Sequence, residues 1–98
     1  MNTFLFQPKD TDTLEEWSEQ FRLMYSPRQP VHMIVRLDNY NKFDIQTIMG
    51  LKVLIDMYRP MAKMYLTETH LYLKDPLLKT LVKNCLYFFK HEKPVVIV

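Results

Sequence analysis

Val31-His32-Met33-Ile34-Val35-Arg36-Leu37-Asp38 is the stretch on which the fold turns, and it is followed by a polar turn and the long apolar run from Phe43 to Met61. Only His32 and Arg36 interrupt the apolar residues before Asp38, as expected of a parallel strand covered on both faces and set in the interior of a sheet. Asp38-Asn39-Tyr40-Asn41-Lys42 then turns the chain, and Asp44 offers a carboxylate to cap a helix that begins at Ile45. A strand delivering the backbone to a capped helix is the commonest place for an α/β protein to build a site.

Toward the N-terminus, Thr3-Phe4-Leu5-Phe6-Gln7 reads as a strand closed by Pro8, which cannot donate to a ladder. Thr13 with Glu16 matches a capping box ahead of an amphipathic helix. Leu14, Trp17, Phe21 and Met24 share one face of that helix, so Trp17 is read as a core residue rather than a ligand-stacking one. Ser26-Pro27-Arg28-Gln29-Pro30 ends the helix, because two prolines so close together cannot continue it.

Toward the C-terminus, Lys52, Asp56, Arg59 and Lys63 form one narrow polar stripe on a helix over 45–63 that Pro60 kinks or ends. The apolar remainder exceeds what one sheet face needs. Either neighbouring helices bury it, or Met49, Val53, Met57 and Met61 meet a partner. A third strand is expected within 64–73. Asp75-Pro76 is a strong helix start, with a cap followed by proline at the first helical position. Leu78, Leu81, Val82, Cys85 and Phe89 then recur at helical spacing, with Lys79, Lys83 and Lys90 on the solvent side. His91-Glu92-Lys93 turns the chain into the β-branched strand Pro94-Val95-Val96-Ile97-Val98. The sum is βαβαβαβ, which predicts one α/β domain over 1–98 with a mostly parallel four-stranded sheet and three helices.

Composition narrows the function. The chain has 98 residues, 48% hydrophobic and 24% charged, which suits one folded domain with one core and disfavours disorder. A net charge of +2 does not by itself mark a nucleic-acid or anionic-membrane binder. Gly50 is the only glycine, so phosphate loops that need several glycines are excluded. Cys85 is the only cysteine, which rules out an internal disulfide and fits a reducing compartment; cytoplasmic placement is the default expectation, with no leader and no membrane span.

Val31 to Val98 resembles the STAS domain of anti-sigma-factor antagonists and, more distantly, the core of lipid-carrying CRAL-TRIO domains. The resemblance rests on the strand ending in acid (Met33-Ile34-Val35-Arg36-Leu37-Asp38), the aspartate-opened helix (Phe43-Asp44), a further strand and a proline-opened helix. It implies a protein-binding surface around Asp44 and Thr47. In the family a serine after the aspartate is phosphorylated, whereas here the stretch is Asp44-Ile45-Gln46-Thr47-Ile48, so Thr47 is the one candidate acceptor and is more simply a capping or surface residue. The family's closing helix has no counterpart before Val98, which implies a sheet face left for another subunit. The short form rich in Met, Tyr and Phe is also similar to small STAS-like proteins of large DNA viruses.

Catalytic and metal chemistry find little support in the residue pattern. His32, His70 and His91 are far apart in the chain, and no metal site is expected. Asp38 and Asp44 are read as turn and cap residues rather than a paired-carboxylate site, and Cys85 as a small core residue. No catalytic residue and no cofactor is expected. The leading reading is a non-enzymatic interaction module, STAS-like, that contacts another protein or a second copy of itself through Asp44, Thr47, Met49, Val53, Met57, Tyr58 and Met61. An alternative is a carrier of a lipid or other apolar small molecule. A second alternative is a nucleic-acid binder using Lys79, Lys83, Tyr87 and Lys90, although an ordinary solvated helix face has the same look.

Overall fold

Four parallel strands lie side by side in the order of the sequence in the computed structural model, which describes residues 2–38, 40–41, 44–86 and 93–98 apart from the side chains of 85 and 86. The elements are β1 (Asn2–Phe6), α1 (Leu14–Tyr25), β2 (Val31–Arg36), α2 (Ile45–Met57), α3 (Arg59–Tyr65), β3 (Leu66–Tyr72), α4 (Pro76–Leu86) and β4 (Val95–Ile97). The α/β class and the parallel four-stranded sheet agree with the sequence reading, but the helices number four, not three. The expected single helix over 45–63 breaks at Tyr58, and Pro60 falls at the start of α3. Proline has no N–H to give to the carbonyl four residues back and its ring crowds that carbonyl, so the helix must end before it and restart.

Local chemistry sets most of the boundaries. Thr13 caps α1, its hydroxyl accepting from the Glu16 amide at 3.2 Å while the Glu16 carboxylate accepts from the Thr13 amide at 3.3 Å. Asp44 caps α2 by accepting from the Thr47 amide at 2.7 Å, and Asp75 accepts from the Leu77 amide at 2.9 Å in front of α4. Gly50 allows α1 and α2 to meet closely, since a Cβ there would lie 2.7 Å from Leu14 Cδ1.

With strand order following sequence order, right-handed crossovers carry every helix to the same side of the sheet. The core agrees. Phe6, Val31, Met33, Val35 and Leu71 of the sheet form one cluster with Trp17, Phe21, Met24 and Tyr25 of α1 and Leu54 of α2, and Ala62 of α3 and Val82 of α4 pack on it. Aromatic rings dominate its centre, with Phe6 5.7 Å from Phe21 and Phe21 5.7 Å from Tyr58. Tyr25 stacks on Tyr58 at 6.0 Å, and Trp17 meets Tyr40 at 5.8 Å while its indole N–H donates to Asp12.

β2 is an interior strand, as its composition implies, but it is not covered on both faces among the described residues. Val31, Met33 and Val35 are buried against the helices, while His32 and Ile34 are half-buried and Arg36 is exposed on the other face. That second face continues across the sheet as Leu5, His70 and Val96 beside Ile34. A strand run reads as doubly covered when Ile34 is counted with its buried neighbours; the alternation of His32 and Arg36 marks the open side.

Candidate functional site

Two surfaces carry chemistry that the fold does not use up. The first is the outer side of α2. Leu54 faces the core at 4% exposure, which turns the residues on the far side outward: Ile45 is 80% exposed, Met49 55%, Val53 57% and Met57 61%. These four recur every fourth residue and so form a single ridge along the helix. Lys52 and Arg59 flank it, paired with Asp56 at 3.0 Å and 2.6 Å. The two cations hold the Asp56 carboxyl below its ordinary range, Arg59 contributing most.

The sequence-based surface divides here. Met49, Val53 and Met57 stand on the ridge. Tyr58 and Met61 do not; both are half-buried and pack on the core, with the Tyr58 hydroxyl donating to the Ser18 carbonyl at 3.3 Å. Tyr58 occupies the break between α2 and α3, where its backbone leaves the helical conformation, and Met61 beyond the break does not continue the ridge. Ile45 at one end of the ridge, and Met64 on α3 at 67% exposure, were not singled out by the sequence argument. The four-residue spacing from Ile45 was the signal for the former.

Asp44 and Thr47 are tied to each other through the cap. Thr47 is half-buried and lines a cleft of about 210 Å³ with Asp12, Leu14, Trp17, Tyr40 and Gln46, smaller than the usual small-molecule pocket. Burial pushes the Tyr40 phenol in that wall above its ordinary pKa. Asp38 pairs with Arg36 at 3.4 Å. On α4, Lys79 is half-buried and Lys83 exposed, whereas Tyr87, Phe89, Lys90 and His91 lie outside the described residues, as does the side chain of Cys85. No helix among the described residues is long and apolar enough to cross a membrane.

The second surface is the open face of the sheet, where two histidines far apart in the chain come together although no metal site was expected. His32 on β2 is the register partner of Glu68 on β3, and His70 stands two residues along on the same face. Glu68 Oε1 is 3.4 Å from His32 Nδ1 and 3.4 Å from His70 Nε2, and the imidazoles meet edge to face with centroids 4.4 Å apart. A β-bulge creates this meeting. Val31 pairs with Leu66 but His32 pairs with Glu68, so Thr67 is the extra residue, and its hydroxyl donates to the Val31 carbonyl at 3.0 Å. In an unbroken register His32 would pair with Thr67, and Glu68 and His70 would point to the helix side. One row on, the Arg36 guanidinium lies 5.3 Å from the Tyr72 ring centroid.

No family model, no curated protein and no solved structure matches the chain.

Proposed function

We propose that the protein is a non-enzymatic interaction module that pairs with a second copy of itself through α2. The observation that carries this reading is the ridge of Ile45, Met49, Val53 and Met57, each more than half exposed on a helix whose opposite side is locked into the core. A row of side chains at four-residue spacing is self-complementary: the row of one helix fits the groove beside the same row of another related by a two-fold axis. The STAS-like character of the scaffold belongs to the same proposal, supported by the strand ending near Asp38, the Asp44 cap and the proline that opens α4. A phosphoswitch at Thr47 is not part of it, since that residue is half-buried beside its cap.

Magnitude sets the expected strength. Covering a side chain that is already about half buried returns roughly 1 kcal/mol, so eight in a symmetric pair return about 8 kcal/mol. Association itself costs about 4–15 kcal/mol, so at the low end of that cost a surplus of about 4 kcal/mol remains and the dimer is weak, with a dissociation constant near the millimolar range. Sedimentation velocity across a concentration series tests this: the chain should pass from monomer to dimer, and Met57→Glu should remove the dimer while leaving the unfolding curve in place. A chain that stays monomeric at millimolar concentration overturns self-association.

A further inference from the structure

We propose that His32, Glu68 and His70 bind a divalent transition-metal ion of the zinc class on the open face of the sheet. The site is on the side of the sheet away from α2 and does not rest on the interaction reading. Two imidazoles and a carboxylate are the donor set that zinc takes with an open fourth position. One ligand atom from each of the three residues can be chosen so that all lie within 4.8 Å of one another. The two nitrogen-to-oxygen separations are both 3.4 Å. Metal bonds of about 2.0–2.1 Å at tetrahedral angles place neighbouring ligand atoms about 3.3–3.4 Å apart, so these two edges already have the length a bound ion requires. The same separations are long for charge-assisted hydrogen bonds, which close to about 2.7–2.9 Å. The carboxylate therefore stands at ligand spacing from both nitrogens without closing on either as a hydrogen bond.

The setting suits the ion. His32 and His70 side chains are 17% and 28% exposed and Glu68 39%, so the rings are sheltered while one side of the cluster opens to solvent and leaves the fourth position to water. Ile34 and Val96 beside His70 supply an apolar surround that keeps competing water away from the ligands. Arg36 is the one cation that the described strand residues place on this face, and it is engaged by Tyr72 and Asp38. All three ligands stand on adjacent interior strands, and the bulge at Thr67 fixes the register that gathers them. Hard cations such as Mg²⁺ prefer all-oxygen shells and are excluded by the two imidazoles.

Titration of the full chain with zinc chloride against a chromophoric chelator tests the site. One equivalent should bind, and His32→Gln, Glu68→Gln and His70→Gln should each weaken binding on the order of 100-fold, the scale reached by losing even an outer partner of a ligand. Cys85→Ser and His91→Gln should leave it unchanged. Metal-free urea unfolding checks that every variant folds, and for any that does not, ¹⁵N spectra of the wild-type imidazoles decide. Zinc should then shift His32 Nδ1 and His70 Nε2, and Mg²⁺ should shift neither. Zinc affinity that survives the His32→Gln, His70→Gln double variant, that vanishes with His91→Gln or Cys85→Ser, or that Mg²⁺ matches overturns the proposal, as do imidazole signals that zinc leaves in place.

Discussion

Replacing Leu54 by alanine and Met57 by glutamate perturbs opposite sides of α2, and the structure assigns them very different costs. Leu54 is 4% exposed inside the core cluster. Removing three of its carbons forfeits about 2.4 kcal/mol of transfer free energy at roughly 0.8 kcal/mol per carbon, and the cavity left in the core cluster adds about 1 kcal/mol more. The expected loss of about 3 kcal/mol is a large share of the roughly 5–15 kcal/mol that holds a domain together. With a urea slope of about 1.5 kcal/mol/M, the midpoint falls by about 2 M. Met57 is 61% exposed, so its replacement removes little buried surface, and a new carboxylate near the carboxyl end of α2 costs about 0.3–0.5 kcal/mol against the helix dipole. Equilibrium urea unfolding followed by circular dichroism should therefore separate the variants clearly when run at low protein concentration, where association does not add to stability. A Met57→Glu variant that loses more than about 1.5 kcal/mol would place that side chain in the core and remove the ridge from the molecule.

Two further outcomes follow from buried polar groups. Burial pushes the Tyr25 phenol up to about 12, above an unfolded value near 10. The folded state thus holds the proton more tightly, so the associated stability is intact below about pH 10 and is lost as pH rises toward about 12, by at most about 3 kcal/mol. Tyr25→Phe should flatten that part of the alkaline unfolding profile, and an unchanged slope would refute the assignment. Thr67→Val should cost about 1–2 kcal/mol in urea unfolding because the Val31 carbonyl loses the hydroxyl at the bulge; a loss under about 0.3 kcal/mol would show that the hydroxyl is dispensable.

The elements legible in the sequence were those set by nearby residues. The Thr13–Glu16 box, the Asp44 cap and Asp75-Pro76 each fix a helix start through bonds spanning two or three residues, and all three stand where the pattern put them. Alternating strands and helices likewise sufficed for the parallel sheet. The break at Tyr58 was less visible: Pro60 announces a disturbance, but where the helix yields depends on the packing of Tyr58 between Phe21 and Tyr25. Least visible was the meeting of His32 with Glu68 and His70. Residues more than thirty apart come together only through a register, and a single bulge decides which face they share. Polar residues at even spacing, His32 and Arg36 on either side of Ile34 and Glu68 with His70, were the available trace of an uncovered sheet side.

A sheet whose strands are laid down in chain order has a bearing on how the molecule can assemble. Each new strand joins a free margin formed by the one before it, and none must be threaded between two strands already paired. The chain can therefore add its βα units one after another from the amino end, with each loop closure short and each step seeded by the last.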